Sequence, residues 1–213
     1  MSDNLVFSPS RGDTRLDQPK GNKMSIATAI KPEPKITNGV NVTALFETIA
    51  AVKENAAIAK FNFRATNKWL GGANNRSTIK EFTGALQEHR RDAKSFTFDN
   101  GEPPVLLGED KAPNPVEWLL HALIGCMTTT TAYHAASRDI VVEAIDSQIE
   151  GDLDLRGFLG LSTEVRKGYS AIRVQMRVKT KADPATIKAL TAMSPVFDVV
   201  SRAVPISVSV ETY

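Results

Sequence analysis

NPVEWLLHALIGCMTTTTAYHAASR, residues 114 to 138, carries the clearest helical grammar in the chain. Asn114 suits an N-cap, Pro115 suits the first helical position, and Glu117 follows Asn114 by three residues as in a capping box. Beyond them Leu119, Leu123, Cys126, Thr130 and Tyr133 share one stripe, and Leu120, Ile124, Met127 and Thr131 the next. A helix apolar this far round predicts a central, buried element running to about Arg138. Thr128 to Thr131 are poor helix formers, at up to roughly 0.7 kcal/mol each, so only tertiary burial would hold them helical.

Upstream, Thr43 to Asn55 has roughly helical spacing and predicts a short amphipathic helix. The period then changes. Ala59, Phe61, Phe63 and Ala65 alternate with polar residues, predicting a strand over Ala57 to Thr66. A turn at Gly71 to Asn75 leads to a second strand, Arg76 to Gly84, and Ser95 to Phe98 is a third.

Downstream, Ile140 to Gly151 and Ser170 to Thr180 predict long strands, the latter with Ile172, Val174, Met176 and Val178 inward. Asp183-Pro184 and Ser194-Pro195 each open a helix, and Ile206 to Thr212 reads as a closing strand. Strands and helices come in batches, which predicts an α+β fold rather than a doubly wound sheet. Residues 1–39, polar and carrying Pro9, Pro19, Pro32 and Pro34, read as a poorly ordered arm, with residues 40–213 as the domain. Met1 and Met24 are both open as the true start.

Bulk properties narrow the function. The chain has 213 residues, is 42% hydrophobic and carries a formal net charge of +2, with no basic cluster pointing to nucleic acid. Its N-terminus has no apolar signal core, and its longest apolar run is too short to span a bilayer, so no membrane role is expected. One cysteine precludes an internal disulfide, and His89, His121 and His134 form no paired motif with it, so neither metal nor cofactor is expected. A reduced, cytoplasmic setting fits best. The glycine-bearing loop Gly151 to Tyr169 lacks the order of a phosphate cradle and reads as a connection.

Three stretches in order, NPVEWLLHALIGC, EGDLDLRGFLGL and SPVFDVVSRAVPISVSVE, resemble the OsmC/Ohr family, and WLGGANNRSTIKEF fits the same pattern. The resemblance runs from about Ala57 to the C-terminus. It implies an OsmC-like fold, two antiparallel sheets around central helices in an intertwined homodimer with active sites at the subunit interface. It also implies reduction of organic hydroperoxides by a cysteine thiolate, followed by resolution and reduction by an external dithiol. Cys126 matches the peroxide-attacking position, while Ser194 stands where a resolving cysteine would be and Val116 where a glutamate would be. Glu117 lies one step further round the helix.

Cys126 sits about three turns into its helix, where the macrodipole gives little help. A reactive thiolate therefore needs a cation from elsewhere. Arg76 is the candidate carried over from the family, with Arg64, Arg90 and Arg91 as competitors. Two readings follow. One is a one-cysteine peroxidase in which Cys126 attacks, Arg76 activates, and an external thiol replaces the missing resolving group. The other is a non-enzymatic dimer binding a small apolar ligand, with Cys126 merely packed. Glu117 and Ser194 each also read as helix caps.

Overall fold

The computed structural model describes residues 33–91 and 94–212; the expected arm up to residue 32 lies outside them. Its remaining part, 33–39, enters a hairpin of β1 (Ile36–Thr37) and β2 (Val40–Asn41). Asn38 and Gly39, both at positive φ (53° and 75°), make its two-residue turn. The Asn38 amide reaches across the chain, donating to Ile140 O at 2.9 Å and accepting from Val142 N at 2.8 Å. This asparagine-glycine turn gives the segment a fixed place that proline content alone did not suggest.

Helix α1 (Val42–Glu54) forms as expected, capped by Asn41, whose side chain accepts from Ala44 N at 3.0 Å. The strand expected over Ala57 to Thr66 is corrected. Ala56–Ala59 is a 3-10 turn capped by Asn55, and only Asn62–Phe63 (β3) is a strand before β4 (Thr66–Gly71). A run of alanines has no bulk to pack on a pleated surface, and the Asn55 cap starts a turn instead. The strand expected over Arg76 to Gly84 is two, β5 (Asn74–Ile79) and β6 (Glu81–Gly84). They serve different sheets, β4-β5-β8 and β3-β6-β7, with β7 at Gln87–Arg90 and β8 at Phe96–Asn100. The β6–β7 turn is made by Ala85 and Leu86 at φ 49° and 64°, a conformation with no glycine to announce it.

Helix α2 (Pro115–Ala136) begins with the expected capping box. Asn114 accepts from Glu117 N at 2.9 Å, and Glu117 accepts from Asn114 N at 2.9 Å. Then come β9 (Val142–Asp152), the short α3 (Leu155–Phe158), β10 (Ala171–Thr180), α4 (Pro184–Thr191) and α5 (Pro195–Ser201). β9 and β10 pair antiparallel, Ile172 opposite Gly151 and Val178 opposite Ile145. All four sheets are antiparallel, which confirms the α+β class.

The closing strand expected over Ile206 to Thr212 is also corrected. These residues pair with no described strand, and a β-pattern becomes a strand only where a partner supplies the ladder.

Burial concentrates where α2 meets α4 and α5. Leu123, Met127, Thr131 and Ala135, four apart along α2, are buried, as are Ile187, Leu190 and Thr191 on α4. Of the four threonines only Thr131 is fully buried and Thr129 is exposed, and two of them bond back to the preceding turn. Thr131 Oγ1 lies 2.8 Å from Met127 O and 2.9 Å from Thr191 Oγ1, and Thr128 Oγ1 donates to Ile124 O at 2.9 Å. A smaller cluster of Val40, Val42 and Ala136 seats the N-terminal hairpin on the end of α2. Within one chain, however, α2 is not buried all round: Leu119, His121, Gly125, Thr129 and Tyr133 stay exposed.

Candidate functional site

Cys126 is the twelfth residue of α2, about 16 Å from the start of the helix at 1.5 Å per residue. The orphan N–H groups and the positive end of the helix dipole act over the first turn, so neither reaches it. The thiol is free and half-buried, between buried Leu123 and Met127 on one side and exposed Gly125 on the other. Among the described residues it makes no hydrogen bond or ion pair.

Arg76 lies on β5 directly opposite Asp99 on β8. Its Nε and Nη2 donate to the two Asp99 carboxylate oxygens at 2.6 and 2.9 Å. The hydrogen bond first, and then the charge, raises the Arg76 guanidinium and holds the Asp99 carboxyl below the usual range. Both side chains are about half exposed. The strand is tied to α2 through Trp118, whose Nε1 donates to Asp99 O at 3.3 Å and whose ring meets Phe98 edge-on at 5.5 Å. Trp118 in turn meets His121 edge-on at 5.4 Å. Trp118 is eight residues before Cys126, about 12 Å along the helix. No hydrogen bond joins Arg76 to Cys126 in the described residues.

Of the competing arginines, Arg90 contributes only its charge beside Glu88, and the other two have partners. Arg64 pairs with Glu88 and donates to Thr83 Oγ1 at 3.1 Å, while Arg91 lies over the rings of Phe82 and Phe96 at 5.0 and 5.5 Å. Glu117 closes the α2 cap. Ser194 is 1% exposed and caps α5, its Oγ accepting from Phe197 N at 3.2 Å. His134 bonds Arg138, and burial first, then the Arg138 charge, lowers its imidazole. Among the described residues no group of three or more His, Cys, Asp or Glu could hold a metal ion, and no helix is long and apolar enough to cross a membrane.

Two features were not read from the sequence. Tyr169 O–H donates to Val116 O at 3.0 Å, fastening the long loop to the start of α2; burial first, and then the Glu117 charge, raises its phenol. Beside Cys126, Met127 lines an apolar groove of about 640 Å³ with the inner face of β10, α4 and Phe197 of α5. The alternation of β10 was a signal for that face, but not for its being open.

Residues 108–209 match the family described as OsmC-like protein. Among solved structures, the OsmC-like protein from Mycoplasma pneumoniae is 14% identical, with a TM-score of 0.50 over 67% of this chain and 89% of that one. An organic hydroperoxide resistance protein, OsmC, from Legionella pneumophila is 20% identical, with a TM-score of 0.41 over 65% of this chain and 89% of that one. An OsmC-like protein of unknown function from Vibrio cholerae is 14% identical, with a TM-score of 0.42 over 64% and 92%. No curated protein matches the chain significantly. Residues 108–209 are thus similar to the OsmC-like protein family, and the chain shares its fold with the Mycoplasma protein.

Proposed function

We propose that this chain is a thiol-dependent peroxidase that reduces organic hydroperoxides through Cys126, in a cytoplasmic homodimer. The observation that carries the reading is a free, half-buried thiol amid apolar side chains on the central helix of an OsmC-like domain. The Cys126 thiolate attacks the distal peroxide oxygen, the O–O bond breaks, and the alcohol leaves with a proton while the cysteine becomes a sulfenic acid. Ser194 carries no thiol to resolve it. An external thiol therefore condenses with the sulfenic acid, releasing water, and a second thiol equivalent displaces the mixed disulfide to restore Cys126. Leu123 and Met127 favour apolar peroxides. Arg76 activates the thiolate from the facing subunit's surface or after rearrangement, with Asp99 holding its guanidinium flat until then.

The homodimer is supported by what one chain leaves uncovered: the open stripe of α2, Phe63 and Trp69 on the N-terminal strands, and the apolar groove along β10. Sedimentation should give a dimer at micromolar concentration.

The rival reading, a non-enzymatic dimer holding a small apolar ligand, is favoured by one observation: the Arg76 guanidinium is already occupied by Asp99. Cumene hydroperoxide with dimedone decides between them. A sulfenic acid adduct at Cys126, absent in Cys126→Ser, is expected, with excess peroxide carrying the cysteine on to sulfinic acid. No adduct across the pH range, with the protein folded and dimeric, would sink the peroxidase.

A further inference from the structure

The connection between β9 and β10 is built as a unit, yet it turns its largest apolar side chains to solvent. Phe158, Leu159 and Leu161 are close neighbours in sequence and are 71%, 58% and 72% exposed. The backbone beneath them is braced. Asp154 caps α3, accepting from Arg156 N at 3.0 Å, while Leu159 N donates to Leu155 O at 2.8 Å and Leu161 N to Arg156 O at 2.9 Å. The returning arm of the loop crosses α3 at buried Gly157, where a Cβ would lie 2.3 Å from Arg166 O, so only glycine fits. Tyr169 pins the base of the loop to the first turn of α2. A slack loop would fold such side chains under itself; this one is held with them outward, as an interaction surface is.

Cations stand beside this apolar tip. The crossing at Gly157 brings the backbone of Arg166 against α3, with Lys167 next in the chain. Neither side chain makes a hydrogen bond or ion pair among the described residues, and both are exposed. Arg156, on α3 itself, is matched by Asp154, so only Glu164 opposes the two free cations within the loop. An apolar projection flanked by unpaired cations is complementary to acyl chains lying beneath anionic headgroups. The same loop on a second copy would instead set like charges against each other.

We infer that residues 155–167 form a lipid-docking loop, which seats Phe158, Leu159 and Leu161 shallowly in an anionic bilayer while Arg166 and Lys167 meet its headgroups. This deepens the peroxidase reading and rests on it for its purpose: hydroperoxides of acyl chains are then collected at the surface that holds them. Contact is confined to one loop, and no described helix is long and apolar enough to cross the membrane.

Co-sedimentation with vesicles tests it, comparing equal parts of phosphatidylglycerol and phosphatidylcholine with phosphatidylcholine alone. The full chain should bind the mixed vesicles about fivefold more tightly than the neutral ones. Phe158→Ser with Leu161→Ser should weaken that binding about tenfold, and Arg166→Gln with Lys167→Gln should remove the preference for anionic lipid. Phe46→Ser removes a comparably exposed apolar side chain from α1 and should leave binding unchanged. Phe158→Trp should keep binding, with its emission shifted to the blue and quenched by brominated acyl chains. Cys126→Ser should bind vesicles as the full chain does, so the docking loop survives a failed dimedone experiment, and a failed vesicle experiment leaves the peroxidase standing. A full chain that ignores mixed vesicles overturns the docking loop, as does a Phe158→Trp emission that brominated lipid leaves unquenched. A Phe158→Ser, Leu161→Ser chain that binds vesicles undiminished, or that dimerises more weakly than the full chain, overturns it too, the second because the tip then faces another copy.

Discussion

The seam between α2 and α4 and the inner face of β10 are built from equally regular apolar patterns, and they end in opposite states. Along α2, Leu123, Met127, Thr131 and Ala135 recur every four residues and are closed over by Ile187, Leu190 and Thr191. Along β10, Ile172, Val174, Met176 and Val178 recur every two residues and look into an open groove. Both patterns say which side of an element wants cover; neither says which chain supplies it. The seam joins two helices of the same chain, and even the hydroxyls within it find partners, Thr131 against Thr191 at 2.9 Å. The β10 face has α4 and Phe197 of α5 across a groove of about 640 Å³ that no described element fills.

This contrast can be broken or sharpened by mutation, beginning with the largest effect. Leu123→Ala opens a cavity in the closed seam and should cost about 3 kcal/mol in urea unfolding, independent of protein concentration. A loss under about 1 kcal/mol would mean that the seam is looser than its burial implies. Ser194→Ala, at the end of the same seam, removes the cap on α5 and leaves the Phe197 N–H without its partner; about 1–2 kcal/mol is expected. Restoration by Ser194→Thr or Ser194→Asp would show that capping, rather than chemistry, is what the side chain supplies. Val174→Ala on the open face should cost about 1 kcal/mol, with the loss deepening as the protein is diluted, because part of it is paid in association. A concentration-independent loss would mean that the face is covered from within the chain.

The smallest effect is in pH. Burial and Arg138 lower the His134 imidazole in the folded chain, so the unfolded chain takes up the proton first. The stability this group contributes is present above its unfolded value and is lost as pH falls through about 6.5 toward the lowered folded value. Thermal melts between about pH 7.5 and pH 5.5 should show a modest decline that His134→Gln flattens; an unchanged slope would remove His134 as its source.

The capping box at Asn114 and Glu117, the start of α2, the alternation of β10 and the helix openings at Asp183-Pro184 and Ser194-Pro195 were all legible in the sequence. Each depends on side chains within a few residues of the backbone they organise. So was Cys126 as the residue on which any thiol chemistry must turn, since the chain has no other. Local rules also allowed errors where competing local devices were present: the Asn55 cap drew the alanine run into a 3-10 turn, and Ala85-Leu86 turned the chain at positive φ without a glycine. What only the tertiary structure decided were the pairings across distance. It set Arg76 opposite Asp99, ran the Asn38 side chain to the backbone between α2 and β9, and fastened Tyr169 to the first turn of α2. Register and packing bring such groups together across tens of residues, and no periodicity along the chain records the distance between two strands that have not yet met.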